Sequence, residues 1–204
     1  MKRNIVLKNG LNVTLNCKVD VEGFFISAQY NGEMIACCQF YIFKIFSRKL
    51  DALGKEKYAK MHKIPLTEVP DLLNLMVDVF SLYEIEDGIP NPNKEKLEKN
   101  ANFKINNNTL TMQTGNKYVH TSTKCELINI EIFNNKFLKI GLGQQMLELM
   151  EEIAKLYSPS QIFGLFNPHG ELSHATISFY KRNDYSIIKQ DSSLYNVEKN
   201  LIEN

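Results

Sequence analysis

The chain lacks a surplus of charge of either sign and a long hydrophobic run. Its 24 Lys and Arg residues nearly balance its 23 Asp and Glu residues, so no global field attracts DNA or an anionic bilayer. Any polyanion site must therefore be local, and nucleic acid is disfavoured as a partner. The longest apolar stretch, 34–43, contains Gln39 and is about half of the ~20 residues that a membrane-spanning helix needs. We expect no membrane partner.

Cysteine and histidine are scarce and scattered. The four cysteines form no C-x-x-C pair, and only His169 and His174 are neighbours among the four histidines. The spacing of a disulfide framework or of a closed metal site is missing, so we predict reduced, buried thiols and no metal. The start of the chain has only a short apolar run and no small-residue cleavage site, which favours a cytoplasmic location.

The composition that remains is that of an ordinary globular protein, with 44% apolar and 23% charged residues in a chain of 204. One compact domain over residues 1–204 is predicted. Two hairpins are indicated by Asn-Gly turns, one at Asn31-Gly32 and a smaller one at Asn9-Gly10. Further β-rich runs occupy residues 109–113, 118–121, 125–133, 161–166, 185–188 and 194–197.

The middle of the chain has a different character. Residues 47–84 follow a helical pattern, with a break at Pro65, and predict two helices; Leu72, Leu73, Met76, Val77 and Phe80 give the apolar spacing of the second. Residues 87–108 are rich in Asn, Lys and Pro and predict a solvated loop with at most a short helix over 94–99. Segment 44–117 is therefore either an insertion or a first helix pair followed by a loop.

A strand, a glycine turn and a helix follow one another in the last third of the chain. The helix is indicated by the apolar stripe Met146, Leu149, Met150, Ile153 and Tyr157. In this order, the unpaired backbone N–H groups at the helix start and the helix dipole favour an anion such as a pyrophosphate, and Gly141 and Gly143 allow its close approach. The third glycine of the dinucleotide fingerprint is replaced by Met146, and the Gly-Lys-Ser/Thr of a P-loop is absent.

Two segments resemble the GNAT superfamily of N-acetyltransferases. Residues 138–143 are similar to its Gln/Arg-x-x-Gly-x-Gly/Ala turn, with Leu138 at the first position. Residues 177–185 are similar to its later segment, apolar-Tyr-Glu-Lys-x-Gly-Phe, with Asp184-Tyr185 in place of Gly-Phe. One helix, one strand and one short helix lie between the motifs, in the order of the family. The resemblance covers residues 125–197, about a third of the chain.

The resemblance implies a GNAT-like fold of the α+β class, a mixed, mostly antiparallel sheet flanked by helices, with a helical and Asn/Lys-rich insertion. Acetyl-CoA, as co-substrate, would lie between residues 130–133 and 163–167 with its pyrophosphate on the glycine turn. Tyr180 would protonate the leaving thiolate and Glu131 would act as base. The residues implied to bind the cofactor are Ile132, Phe133, Leu138, Lys139, Ile140, Gly141, Leu142, Gly143, Gln144 and Asn167.

The function that follows is acetyl transfer to a primary amine of a small molecule or a protein by direct attack. Leu138 and Asp184 depart from the pattern and motivate an alternative, a non-catalytic module that binds CoA or a protein partner. A toxin-type acetyltransferase acting on charged tRNA is a further alternative, against which the missing basic surplus counts. The identity of the amine acceptor stays open, and a monomer and a homodimer are both compatible with the sequence.

Overall fold

The computed structural model describes residues 1–20, 22–96, 103–106, 108–166, 172–190 and 194–201, with the backbone alone at 106, 172 and 173. The chain divides into two compact units. The first unit comprises Met1–Phe43, Asp78–Glu95 and Thr123–Asn204, and the second unit comprises Lys44–Val77 and Lys96–Ser122. That residues 44–117 are an insertion into a single domain stays a prediction.

Strands dominate the described residues. They are β1 (Lys2–Val6), β2 (Asn12–Asp20), β3 (Gly23–Tyr30), β4 (Glu33–Lys49), β5 (Leu72–Asp78), β6 (Tyr83–Glu86), β7 (Ile89–Glu95), β8 (Phe103–Asn106), β9 (Thr109–Met112), β10 (Lys117–Ile132), β11 (Gln161–Phe166), β12 (Ser186–Lys189) and β13 (Tyr195–Asn200). The helices are α1 (Ala52–His62), α2 (Val79–Leu82), α3 (Leu142–Lys155) and α4 (Leu172–Arg182), with 3-10 turns at Leu66–Glu68 and Asn135–Phe137.

The main sheet has the strand order β1-β2-β3-β4-β10-β11-β13-β12. Strands β10 and β11 are parallel, whereas β1–β2, β2–β3, β3–β4, β11–β13 and β12–β13 are antiparallel. The parallel pair is joined by α3, which is the crossover connection that parallel neighbours require. The fold is therefore of the α+β class with a mixed, mostly antiparallel sheet, which confirms the predicted class.

Both predicted Asn-Gly hairpins are present. Asn31 and Gly32 have positive φ angles of 52° and 83°, the conformation of the two-residue turn whose twist suits a hairpin. At the first hairpin, Gly10 has φ 82° and its N–H donates to the carbonyl of Leu7 at 2.8 Å. These turns fix the registers β1–β2 and β3–β4.

The core of the first unit lies between the centre of the sheet and α3. Phe24 of β3 and Phe40 of β4 stack with ring centroids 4.8 Å apart, and both are fully buried. The apolar stripe predicted for the helix is buried at every position: Met146, Leu149, Met150, Ile153 and Tyr157. This side of the helix anchors α3, because each buried aliphatic side chain contributes ~1.5–3 kcal/mol relative to an exposed one.

The second helix predicted within residues 47–84 is wrong. Residues 72–78 form strand β5, which pairs with β4, and only the four residues of α2 are helical before β6 begins. Leu73, Leu75 and Val77 are the less exposed side chains of β5, whereas Leu72 and Met76 are exposed. The segment thus carries a period of two beside its helical spacing, and pairing with β4 selected the former.

The solvated loop predicted for residues 87–108 is also wrong. Strands β6 and β7 form a hairpin around Asp87-Gly88, where both φ angles are positive, 52° and 83°. This Asp-Gly turn was a hairpin signal in the sequence, and the prolines of the following strand concealed it. The carbonyl of Pro90 accepts a hydrogen bond from the buried Tyr157 hydroxyl. Of the short helix predicted over 94–99, residues 94 and 95 lie in β7, and 97–99 fall outside the described residues.

In the second unit, β8, β9 and the start of β10 form an antiparallel meander, as the run 109–121 predicted for its last two strands. Strand β10 then continues without interruption to Ile132, so two predicted strands are one. Among the described residues, no helix combines the length and apolar character needed to cross a bilayer.

The four cysteines are free and buried, as predicted. Burial raises the pKa of the Cys17 thiol to about 12, and burial also raises the pKa of Cys38 well above its usual range. These thiols are therefore protonated and unreactive at neutral pH, because the thiolate is the nucleophile.

Gly164 of β11 tests the close approach of β10 and β11. A Cβ at this position would lie 2.5 Å from the carbonyl oxygen of Leu127, so we expect Gly164→Ala to lower the free energy of unfolding by ~1–3 kcal/mol. Urea unfolding measures it, with Gly143→Ala as control, since a Cβ there meets its nearest neighbour at an ordinary 3.5 Å. Equal stability of both variants with the wild type would contradict this packing.

Candidate functional site

The parallel strands β10 and β11 separate part-way along their length. Their register runs from Lys124↔Gln161 to Glu126↔Phe163 and ends there. Strand β10 nevertheless continues to Ile132 and β11 to Phe166, and all of these residues are described. The sheet therefore opens into a wedge between the carboxyl ends of two neighbouring strands.

Each strand is held on its outer side where the wedge opens. Strand β11 pairs with β13 along its whole length, from Gln161↔Asn200 to Phe166↔Tyr195. On the other side, the Phe133 N–H donates to the carbonyl of Ile35 at 2.9 Å, and the Gln39 N–H donates to the side-chain oxygen of Asn129 at 3.2 Å. The side-chain bond from Asn129 replaces a regular ladder bond, so β10 is irregular at the point where it leaves β11.

The glycine turn stands at the start of α3. Gly141 is the N-cap residue with φ 93°, a conformation that glycine adopts without a Cβ penalty. No side chain caps this helix end, and its first turn contains no acidic residue. The Gln145 N–H donates to the Gly141 carbonyl at 3.1 Å, so the N–H groups of residues 142–144 precede the first intrahelical bond. They are the donors that a helix start offers to an anion.

Gly143 brings three elements together. A Cβ on Gly143 would lie 3.5 Å from the ring of Phe179 on α4 and 3.8 Å from the Cδ1 of Ile132 at the end of β10. The glycine turn therefore packs beside the open end of the wedge and beside the helix that carries the second motif. Sequence reasoning assigned Ile132 and Gly143 to one site, and the structure places them in contact range.

Lys8 lies beside the turn and was missed from the sequence. Its N–H donates to the Ile140 carbonyl at 3.2 Å, and a Cβ on Gly141 would lie 3.6 Å from the Lys8 Cε. The aliphatic stem of this lysine therefore lies along Gly141, with its ammonium group beside the start of α3. No local signal marks Lys8, because 130 residues of chain separate it from the turn.

Tyr180 lies on α4 with 7% of its surface exposed. Its ring contacts Phe166 at the end of β11 and Tyr185, each with centroids 5.7 Å apart. Burial, together with the nearby Cys38 thiol, raises the pKa of Tyr180 above its usual range. Its hydroxyl makes no hydrogen bond to another described residue, so it is available to a ligand in the wedge.

The other predicted site residues lie at the exposed ends of the same elements. Glu131 and Phe133 are exposed near the end of β10, and the backbone of Glu131 lies within hydrogen-bonding reach of the Cys37 thiol. Leu138 and Lys139 are exposed before the turn. Ile140 and Gly143 are half-buried, Leu142 is buried and Gln144 is exposed. Asn167 lies outside the described residues.

A partly buried ion pair fixes α4 relative to α3. Lys199 of β13 donates to both carboxylate oxygens of Glu151 at 3.0 Å, and their side chains are 21% and 13% exposed. The Tyr185 hydroxyl donates to the same carboxylate at 3.0 Å, and Lys199 also donates to the Asn183 carbonyl at 3.0 Å. Tyr185 replaces the phenylalanine of the family pattern, and its extra hydroxyl is what reaches Glu151.

No family model and no curated protein matches the chain. It is similar to three solved structures at low identity. The GNAT domain of S. lividans PAT is 9% identical, with a TM-score of 0.49 over 98% of this chain and 97% of that one. PaiA N-acetyltransferase from Thermoplasma acidophilum, in complex with coenzyme A, is 12% identical, with a TM-score of 0.40 over 86% of this chain. A GNAT-family acetyltransferase from Listeria monocytogenes is 11% identical, with a TM-score of 0.39 over 87% of this chain.

The solved structures that the chain resembles are GNAT-family acetyltransferases. The glycine turn and these structures thus name the same family. The chain spans 59% of the Thermoplasma protein and 64% of the Listeria protein. At such identities the likeness concerns the fold alone, so any activity rests on the residues of this chain.

The tyrosines offer a test of the site's burial. Burial raises the pKa of Tyr157, Tyr180 and Tyr185 above the ordinary ~10. Since each folded-state pKa exceeds its unfolded value, the stability linked to these phenols is complete below about pH 10 and is lost as pH rises further. We expect a near-ultraviolet titration to show late-ionising phenols in the native protein, one of which disappears in Tyr180→Phe. Loss of an ordinary phenol instead would show that Tyr180 is solvated.

Proposed function

We propose that the first unit is an acetyl-CoA-dependent N-acetyltransferase. The observation that carries the proposal is the wedge between β10 and β11, with the glycine turn of α3 packed beside its open end. Such a wedge leaves strand backbone free to pair with an extended amide chain, and pantetheine is such a chain. The turn supplies N–H donors for the pyrophosphate that follows pantetheine in CoA.

The anion-binding part of the proposal rests on charge as well as on backbone geometry. Leu138 stands where the family pattern has Gln or Arg, so that position offers no polar side chain. Lys8 reaches the same turn from the β1–β2 hairpin and supplies a cation. We therefore propose that Lys8 contacts the pyrophosphate, while the amides of Leu142, Gly143 and Gln144 hold its oxygens.

The transfer step uses groups that the wedge brings near the thioester. A deprotonated amine attacks the acetyl carbonyl, the C–S bond breaks, and the thiolate of CoA takes a proton. Tyr180 is the proposed donor, because its hydroxyl is protonated at neutral pH and has no partner among the described residues. Its proton is restored from the ammonium formed on the acceptor, for which Glu131 is the proposed base. A primary amine of a small molecule or of a protein is the acceptor class.

Tyr180→Phe separates chemistry from binding. We expect the rate of CoA release with an accepted amine to fall ~10²-fold to 10⁴-fold, because the proton donor is lost. The melting shift with acetyl-CoA should stay near that of the wild type, about 2.7 kcal/mol at a hundredfold excess over the dissociation constant. Unchanged turnover would remove Tyr180 from the mechanism. Binding without turnover by the wild type, across amines and peptides, would favour the non-catalytic module.

Gly141→Val should abolish both binding and turnover, because a β-branched residue does not tolerate a φ of 93° and its side chain would cover the turn. The matched control is Gly32→Val. Gly32 also has a positive φ, but a Cβ there meets nothing within 4 Å. The control should lose stability and keep the affinity for acetyl-CoA. If both variants bind acetyl-CoA equally well, the turn does not hold the pyrophosphate.

Lys8→Met keeps the aliphatic stem along Gly141 and removes the charge. We expect the dissociation constant of acetyl-CoA to rise about tenfold, as for a lost contact of ~1.4 kcal/mol between a cation and a phosphate. Binding of acetyl-pantetheine, which has no pyrophosphate, should not change. Calorimetry with both ligands measures this, with the exposed Lys18→Met as control. A parallel loss with acetyl-pantetheine would assign Lys8 a purely structural role.

A further inference from the structure

The two units of the chain carry opposite charge. The residues of the second unit include eleven Lys and Arg against five Asp and Glu, whereas the rest of the chain has thirteen against eighteen. The formal charge of +1 for the whole chain therefore conceals a surplus of six positive charges in the second unit. A local surplus of this kind is what attracts a polyanion.

Helix α1 presents much of this charge to solvent. None of its residues is buried, although it begins with the Asp51 cap and ends with Lys63 in the left-handed conformation. Of its lysines, Lys55 pairs with Asp71. Lys57 and Lys60 make no salt bridge to any residue that the structure describes, and their spacing of three places them side by side on the helix.

An open cavity of about 470 Å³ lies against the same helix within the second unit. Two tyrosines line it, Tyr58 of α1 and Tyr118 of β10, together with the cations Arg48 and Lys57. The amide of Asn116 completes a set of flat rings, positive charges and hydrogen-bonding groups. Arg48, like Lys57, has no salt-bridge partner among the described residues.

We propose that the second unit binds single-stranded nucleic acid. The phosphates contact Arg48, Lys57 and Lys60, and an unstacked base enters the cavity and stacks on Tyr58 or Tyr118. Stacking on aromatic rings beside a basic surface is how proteins hold single strands with little sequence preference. This surface is independent of the acetyl transfer proposed for the first unit.

The cavity decides between a nucleic acid and an acidic protein. Positive charge alone would suit either, because both are polyanions. The paired tyrosines and Asn116 give a flat ligand with polar edges what an acidic side chain cannot use. A single strand is preferred to a duplex, because a base inside a duplex must be unstacked and unpaired before it can enter a cavity.

The test measures the anisotropy of a labelled oligouridylate bound to the full chain over a range of salt concentrations. We expect binding that weakens with salt, with a slope near −0.7 for each phosphate contact. The triple variant Arg48→Gln, Lys57→Gln, Lys60→Gln should make that slope shallower by about 2. The double variant Tyr58→Leu, Tyr118→Leu should weaken binding about tenfold and leave the slope unchanged.

A matched control removes the same net charge elsewhere. Lys18, Lys155 and Lys189 are exposed and lie in the first unit, so Lys18→Gln, Lys155→Gln, Lys189→Gln should leave the slope as in the wild type. Circular dichroism and thermal melting confirm that all variants are folded. Equal losses in both triple variants would reduce the effect to net charge and overturn the proposal.

Two further results would overturn it. One is absence of oligouridylate binding at low salt. The other is binding of polyglutamate or of an RNA duplex as tight as that of the single strand and insensitive to the tyrosine variant, which would assign the surface to an acidic protein or to a duplex. Tighter binding of the single strand, lost with the tyrosines, supports the proposal.

Discussion

Two parallel strands that share hydrogen bonds over only their first residues determine the character of this protein. Strand β10 follows β4 on one side of the wedge and β11 follows β13 on the other, so each has a partner for its far half and neither needs the other. Gly164 permits the close approach to Leu127 just before the strands part. An open strand edge inside a sheet is costly unless something pairs with it, since backbone N–H and C=O groups must find partners.

Helix α3 links this opening to the rest of the first unit. Its buried stripe anchors it to the sheet, so the orientation of its first turn is not free to vary. Near its other end, Glu151 binds Lys199 and Tyr185 and thereby holds the end of α4. The same helix thus aims the N–H donors at one end and positions the helix of Tyr180 through the other.

The division of charge gives the two units different chemistry. The first unit carries the wedge and a net negative charge, and the second unit carries exposed lysines beside tyrosines. A protein with this division can approach a polyanion through one unit without drawing the phosphates of that polymer into the acyl-CoA wedge of the other. Salt weakens such an interaction steeply, because it depends on released counterions.

Local sequence was sufficient wherever a turn or a period acted alone. The Asn-Gly hairpins, the amphipathic α3 and the glycine turn followed from residues that interact with near neighbours in the chain. It failed where two periods coexisted, since Leu72–Asp78 satisfies both a helix and a strand and pairing with β4 made the choice. It also failed at β7, where the Asp-Gly turn was read together with prolines as loop.

The sequence by itself determined the α+β class, the order of the elements and the position of the anion-binding turn, because these depend on periodicity and on glycine backbone freedom. Only tertiary structure decided that β10 leaves β11, that Lys8 reaches Gly141, and that the lysines of α1 face solvent beside two tyrosines. Each of these joins residues far apart in the chain, and no pattern within a short window encodes a contact whose partner lies in another strand or hairpin.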